Sequence, residues 1–506
     1  MLCVSIEKSK LELNLTTPTF SGILCLLLDT LRDFLLTPRE LKQMNRKRLI
    51  LPIFFIFLFF VLSGWCAEPV HLVILHVNDT HGRLFPYDLE ITKDIGGIAR
   101  MATQIKEIRA DNKNTLVLHA GDDFSRGDPV TSCFGGEANM MAMEAVGYDA
   151  FTPGNGDFYF GVNNLIKQTS LVKFPTLLAN VVYKDKKMIF QPYIIKEIDG
   201  IRIAILGLGY IDKKHPACQT LKLNDPIIVA QEYIPILRGK SDVIIALTHI
   251  GLGADKLLAE KVPDIDVIVG GHTHNLLDRP MMVPRSNGDG HVVVVQAGDY
   301  GQFLGRLDLY IQSDESGKCK VVKADETIIP IDNKIKEDEG IVQLLKRYSD
   351  MLSEVLFNSK IKVSNNEMGK LVAEVVRVQT DSDFALLDIG SIQIGIKAGD
   401  VTLADVYKIH PWRNRVLIFE LTGKQIKRVL SEKDVFVSGL SYTKFDGKVD
   451  NLKIGETLIK LTKTYKVAMG EYLWAYIPYL SDIPFTDTGE TIDSILLKYF
   501  RNQSGK

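Results

Sequence analysis

Val70-His-Leu-Val-Ile-Leu-His-Val-Asn-Asp-Thr-His-Gly82 is the stretch on which the reading of the whole chain turns. Its first eight residues form a near-continuous apolar run, the pattern of a strand covered on both faces. Directly behind the run stand Asp79 and His81, two metal-grade side chains that one loop leaving a sheet edge can present to a single ion. A helix-like segment, 97–110, and a second strand-like run, 115–120, follow. That order is βαβ grammar and predicts an α/β fold. Further strand candidates are 174–179, 201–206, 242–247, 265–269, 291–297 and 306–311.

Other apolar runs end in the same way. Asp122 follows Gly121, Asn155 follows Gly154, His249 follows Thr248, and His272 and His274 follow Gly270-Gly271. Ligands of an α/β sheet gather outside the carboxyl ends of its strands, so residues far apart in sequence meet at one point. Imidazoles, carboxylates and an amide oxygen together suit two divalent transition metals. Gly270 and Gly271 are expected to supply backbone conformations closed to other residues. One such histidine alone would read as structural; five clusters of a single layout do not. His71, His76 and His119 lie inside strand runs, and His215, His291 and His410 lack a ligand-like neighbour, so these six are assigned structural places.

With 506 residues, 46% hydrophobic and 24% charged, the chain exceeds one hydrophobic core and two domains are expected. Ile341, Leu344, Leu345, Tyr348 and Leu352 recur at helical spacing and predict a connecting helix. The expected divisions are 68–332, a linker at 333–358, and a second α/β region at 359–506. A net charge of −2 and a pI near 6.6 give no electrostatic basis for a nucleic-acid polymer as partner. Cys133, Cys218 and Cys319 form no disulfide framework by their spacing, although one pair stays open.

From Met44 the sequence reads as a secretory signal: Asn45-Arg46-Lys47-Arg48, an apolar run over 49–62, then Ser63, Gly64 and Ala67. The run is shorter than the ~20 residues a bilayer core requires, which predicts export to a periplasmic or extracellular space and no membrane span in the mature chain. Trp65 before Cys66 stands where a lipoprotein signal wants a small residue, so lipid anchoring is disfavoured. Residues 1–43 precede that signal and are read as a start-site artefact.

His76-Val-Asn-Asp-Thr-His-Gly82, Gly121-Asp122 with Gly127, Gly154-Asn155, Thr248-His249 and Gly270-Gly-His-Thr-His274 together resemble the motif set of the 5′-nucleotidase family, the two-domain branch of the calcineurin-like metallophosphoesterases. The likeness runs over nearly all of 70–500. It implies a four-layer α/β/β/α metallophosphoesterase domain followed by a C-terminal α/β substrate domain. It also implies two divalent ions drawn from Mn, Zn, Fe and Co. One would take Asp79, His81 and His274, the other Asn155, His249 and His272, with Asp122 bridging them as the catalytic carboxylate. Water activated between two cations would then attack phosphorus in line. The implied substrate is a small phosphate ester, nucleotides foremost; oligomeric state stays open.

The chain departs from that family at two places. Where the family continues Gly-Asn-His-Glu-Phe-Asp, this sequence reads Gly154-Asn-Gly-Asp-Phe-Tyr159, so Gly156 and Tyr159 replace a His-Asp dyad that assists the leaving group. Where it has Asn-Gly-Gly-Gly-Ile-Arg, this sequence reads Asp388-Ile-Gly-Ser-Ile-Gln393, with Gln393 in place of an arginine that grips a nucleotide. Trp412 keeps an aromatic where the family stacks a base, and Arg413 sets a cation beside it. Trp412, Tyr472, Trp474 and Tyr476 are therefore expected to offer an aromatic slot, with Gln393, Trp412, Arg413 and Trp474 as the substrate-binding set. Three readings follow: a secreted dimetal phosphoesterase with weakened leaving-group assistance, a thiosulfohydrolase-like or other non-nucleotide hydrolase of the same scaffold, and a metal- or ligand-binding protein that has lost turnover.

Overall fold

A computed structural model describes residues 3–7, 10–14, 68–125, 127–288, 290–314 and 317–502. Cys3–Glu7 and Lys10–Asn14 pair as an antiparallel hairpin within a unit that ends at Glu68. The signal expected over 44–67 lies outside the described residues. No described helix is long and apolar enough to cross a membrane.

From Pro69 onward two sheets face each other. One has the order Cys319–Pro330, Phe303–Ser313, Val70–Val77, Thr115–His119, Ala150–Phe151; the other runs Met281–Pro284, His291–Val295, Val267–Val269, Val243–Thr248, Ile201–Leu208, Tyr193–Ile198. The alternation of side chains along each strand explains why the runs carry so few polar residues. In Val70–Val77, Leu72 and Ile74 enter the core between the sheets, whereas Val73, Leu75 and Val77 enter an outer core with the helices Ile98–Asp111 and Glu137–Val146. In Val243–Thr248, Val243, Ile245 and Leu247 point inward while Ile244 and Ala246 meet the helices Pro226–Arg238 and Leu252–Lys261. Helix, sheet, sheet, helix is the four-layer arrangement expected.

The segment 174–179 is not a strand. Pro175 has no N–H to give a ladder, and the backbone instead spans both sheets: Leu177 N–H donates to the Phe151 carbonyl and Ala179 N–H to the Gly207 carbonyl. The helix expected as a connector runs over Glu339–Leu352, capped by Asp338, and its apolar stripe is absorbed by the first domain: Ile341, Leu345 and Leu352 join the core that holds Ile105 and Met143.

Beyond it, the C-terminal domain centres on a sheet ordered Val435–Ser438, Phe384–Asp388, Thr464–Gly470, Arg415–Thr422, Phe485–Thr491. Helices Asn365–Gln379 and Ile492–Arg501 cover one face and Gly423–Glu432 the other, so Ala385 and Leu387 separate from Phe384 and Leu386 by the same alternation. The two-domain α/β class read from the sequence is the observed one.

Candidate metal centre and substrate cleft

Every expected ligand except one lies just past the carboxyl end of a strand in these two sheets, and the exception, Asn155, follows the two-residue strand Ala150–Phe151 by a short turn. Because Val70–Val77 runs parallel to Thr115–His119, and Ile201–Leu208 parallel to Val243–Thr248 and Val267–Val269, the loops emerge together. His274 Nε2 is 3.3 Å from Asp79 Oδ1 and 3.0 Å from His81 Nε2. His249 Nε2 is 3.4 Å from Asp122 Oδ1 and 3.9 Å from Asp79 Oδ1. Two compact donor groups result, Asp79 with His81 and His274, and Asp79 with Asp122 and His249. The oxygens of Asp122 face different imidazoles, Oδ1 towards His249 and Oδ2 3.9 Å from His81 Nδ1.

His272 and Asn155 lie at the margin. The His272 amide donates to Asp79 Oδ2 at 2.8 Å, and its ring lies 5.2 Å from that of His249. Asn155 Nδ2 donates to the Tyr159 hydroxyl at 2.9 Å, leaving its amide oxygen buried.

Five of the seven residues hold left-handed backbone: Asp79 at φ 52°, His81 at 49°, Asp122 at 57°, His272 at 79° and His274 at 57°. Non-glycine residues adopt this region at a cost, and it concentrates at functional sites. Gly270 and Gly271, from which unusual backbone was expected, do not adopt it. They are required for space: a Cβ on Gly271 would stand 2.5 Å from the Ala120 carbonyl and 2.9 Å from His249 Nδ1.

Asp79 Oδ1, Asn155 Oδ1 and His249 Nε2 are buried with no hydrogen-bond partner. Unpaired buried polar atoms are rare in native proteins, and two of these, Asp79 Oδ1 and His249 Nε2, lie 3.9 Å apart within one donor group, which fits a cation. The charges agree. Burial alone would push His249 down, but Asp122 and Asp79 outweigh it and hold the imidazole up at about 10. Burial likewise works against ionised Asp122, yet His249, His81 and the Gly156 amide hold it well below the usual carboxylate range. A concentration of negative charge that draws protons onto a histidine is one that divalent cations can occupy in their place. Supporting contacts fix the donors: His249 Nδ1 bonds the Ala120 carbonyl at 2.6 Å, which turns Nε2 to the centre, and Asn78 Nδ2 donates to Asp79 Oδ2 at 2.8 Å.

Several neighbours escaped the sequence reading. Asp299 Oδ2 lies 3.0 Å from His274 Nδ1 and holds that pKa up at about 9, ahead of Asp79. Its signal was present, since Gln296-Ala-Gly-Asp299 repeats the strand, glycine, acid layout of Gly121-Asp122. Asp157 is fully buried and accepts the amides of Asp122, Asp123, Phe124 and Gly154, clasping two ligand loops. His119, assigned a structural place, bonds Thr80 Oγ1 at 3.2 Å, and Thr80 donates to Asp123 Oδ1 at 2.5 Å, tying the loop of Asp79 and His81 to that of Asp122.

Beside this centre opens a cavity of about 300 Å³ lined by Tyr159, His215, Asp388, Trp412, Tyr472 and Tyr476. Tyr159 stacks on His215 with ring centroids 4.3 Å apart, and Tyr472 lies 4.6 Å from Tyr476. Of the expected substrate residues, Trp412 lines this cavity. Trp474 does not: its indole donates to the Leu480 carbonyl and its ring meets Phe419 and Phe485 in the domain core. Gln393 is exposed and bonds the Gly390 carbonyl. Arg413 lies over the Phe160 ring in an adjoining cleft with Arg415 and Glu471. Cys133, Cys218 and Cys319 are all free thiols.

A sandwich of this topology with such a donor set at its strand ends defines a metal-dependent phosphoesterase. Calcineurin-like phosphoesterases match residues 72–276, and the 5′-nucleotidase C-terminal domain matches residues 351–475. The chain belongs to the two-domain 5′-nucleotidase family of calcineurin-like phosphoesterases. A 5′-nucleotidase of Vibrio cholerae is 28% identical over 87% of this chain and 92% of its own length. The trifunctional nucleotide phosphoesterase of Bacillus subtilis is also 28% identical over 86% of this chain, which spans 34% of that longer relative. Among solved structures, a 5′-nucleotidase precursor from Thermus thermophilus matches with a TM-score of 0.63 at 25% identity, over 86% of this chain and 97% of the other.

Proposed function

We propose that the chain is an exported dimetal hydrolase of phosphate monoesters, nucleotides or related compounds, in which Asp79, His81 and His274 hold one ion, Asn155, His249 and His272 the other, and Asp122 lies between them. The observation that carries this reading is the pair of buried donor groups, Asp79 with His81 and His274 and Asp79 with Asp122 and His249, in which Asp79 Oδ1 and His249 Nε2 have no hydrogen-bond partner. When bound, divalent ions supply positive charge that acidifies water and neutralises phosphoryl oxygens. The chain's own residues hold the donors: the Ala120 carbonyl fixes the His249 tautomer, the Gly156 amide holds Asp122 Oδ1 at 2.6 Å, and Asp299 orients His274.

What the chain does not offer is an imidazole at position 156. A departing oxygen then receives no proton from that side, so esters of weakly basic alcohols should react best. With Mn²⁺ supplied, kcat/KM for p-nitrophenyl phosphate is expected to exceed that for AMP by about 10² or more; equal values would count against the reading. Export rests on residues 44–67. Mass spectrometry of the secreted protein is expected to find its N-terminus near Glu68, and peptides from 11–40 in the cell would refute the assignment of 1–43.

A further inference from the structure

The C-terminal domain gathers cations that neither the metal-grade cluster nor the cleft beside it uses. In the helix Gly423–Glu432, Ile426, Val429 and Leu430 recur at helical spacing and turn into the domain core. The same spacing brings Lys424, Lys427, Arg428 and Ser431 together on the opposite flank, at i, i+3, i+4 and i+7. These four, with Gln425 and Tyr479, line an open groove of about 500 Å³, and no acidic residue lines it. Lys460 and Lys463 adjoin the N-terminal end of the helix. There the Gly423 N–H donates to the Lys463 carbonyl and the Lys424 N–H to the Leu461 carbonyl, which staples the exposed segment 460–463 to the first turn. The whole chain carries a net charge of −2, so this concentration of positive charge is local.

The groove's donors are available to a ligand. Lys424 and Lys460 form no ion pair among the described residues, and Lys463 Nζ lies over the Tyr465 ring, 5.0 Å from its centroid. Lys427 meets Asp450 at 3.2 Å and Arg428 meets Glu432 at 2.8 Å, but all four side chains are a third or more exposed. Pairs in that setting are worth little and give way to a better anion. Lys424 stands in the first turn, at the positive end of the helix, with no acidic residue there to compensate it. That placement costs stability and favours anions. The Tyr479 hydroxyl is buried without a hydrogen-bond partner, and burial holds its pKa up at about 12, so it keeps a proton to donate.

Shape and lining choose among anions. From Lys424 to Ser431 the helix rises ~10 Å, a length that matches several phosphates in a row better than one. A nucleic-acid strand calls for open aromatic faces on which its bases stack, yet the Tyr479 ring is covered by the Arg428 guanidinium at 3.8 Å. A bilayer presents a plane, whereas these cations line a concavity. We propose that this groove binds a linear phosphodiester polymer without bases, a chain of polyol phosphates, and so retains the protein on an anionic matrix. The site is separate from the metal-grade cluster and does not depend on the phosphoesterase reading.

Calorimetry on the full chain tests it, with poly(glycerol phosphate), monomeric glycerol phosphate, oligothymidylate of matched charge, and vesicles of equimolar phosphatidylcholine and phosphatidylglycerol as probes. The polymer is expected to bind about tenfold or more tightly than the monomer. Its log K should fall against log salt with a slope of about −2 to −3.5, about 0.7 for each of three to five phosphates neutralised. Lys424→Glu combined with Lys427→Glu should weaken binding about tenfold or more. Lys448→Glu, at an exposed lysine outside the groove, should change it less than about twofold. A single cooperative melt near that of wild type reports an intact fold in each variant, whether or not the protein turns over an ester. Binding that survives the double substitution, tighter binding of oligothymidylate or of vesicles than of the polymer, or no binding of the polymer at physiological salt overturns the proposal and leaves the reading of the metal centre in place.

Discussion

Asp122→Asn should lower kcat/KM by about three orders of magnitude, and the metal-free variant should unfold at a lower temperature than the metal-free wild type. The two halves of this expectation have one cause. Asp122 presents its oxygens towards His249 and His81, and it lies in the same buried cluster as Asp79. An amide there still accepts the Gly156 N–H, so the loop keeps its hydrogen bond, but one buried negative charge is gone. Metal affinity and turnover suffer, and the apoprotein loses the attraction between that carboxylate and the His249 and His81 imidazoles. Activity assays with a metal titration measure the first effect and thermal melts in chelator the second. A variant that melted at or above wild type in chelator would mean that crowding of Asp122 with Asp79 outweighs its attraction to His249.

A second large effect is expected from rebuilding the absent dyad, and the structure shows why two substitutions are too few. A Cβ on Gly156 would stand 2.3 Å from Ser125 Oγ and 3.1 Å from Asp122 Oδ1. Ser125 fills the space that a larger residue at 156 would need, and its hydroxyl is 3.4 Å from His81 Nδ1. Gly156→His alone should therefore disturb two ligands and reduce activity on every ester. Combined with Tyr159→Asp and Ser125→Gly, it should raise AMP hydrolysis by about 10²- to 10⁴-fold, the usual worth of a positioned general acid. The p-nitrophenyl ester, whose leaving group needs no proton, should gain far less. A parallel rise on both esters would point to repaired metal binding rather than restored proton donation.

How far the sequence reached is clear from particular residues. The strands 201–208 and 243–248 were legible because burial on both faces leaves a nearly continuous apolar run, broken in the first by the exposed Arg202, and the ligands were legible because each loop repeats one short layout at a strand end. Segment 174–179 reads equally apolar, yet its hydrogen bonds go to two different sheets, which no local pattern encodes. His215 lay beyond reach for a similar reason: its place in the cavity depends on a stack with Tyr159, fifty-odd positions away in the chain. Trp474 shows the opposite failure. An aromatic beside two cavity tyrosines looks like part of the same wall, but it sits in the short helix Glu471–Ala475, where the face carrying Tyr472 and Tyr476 differs from the one that meets Phe419.

The left-handed backbone shared by Asp79, His81, Asp122, His272 and His274 has a use outside this molecule. A coordination sphere is normally recognised by its side chains, which rotate and relax when no ion is at hand; main-chain torsions locked by flanking strands do not. Searching proteins for acids and imidazoles at positive φ, two to five positions past the end of an interior strand, would find sites of this kind even where the donor atoms have drifted apart.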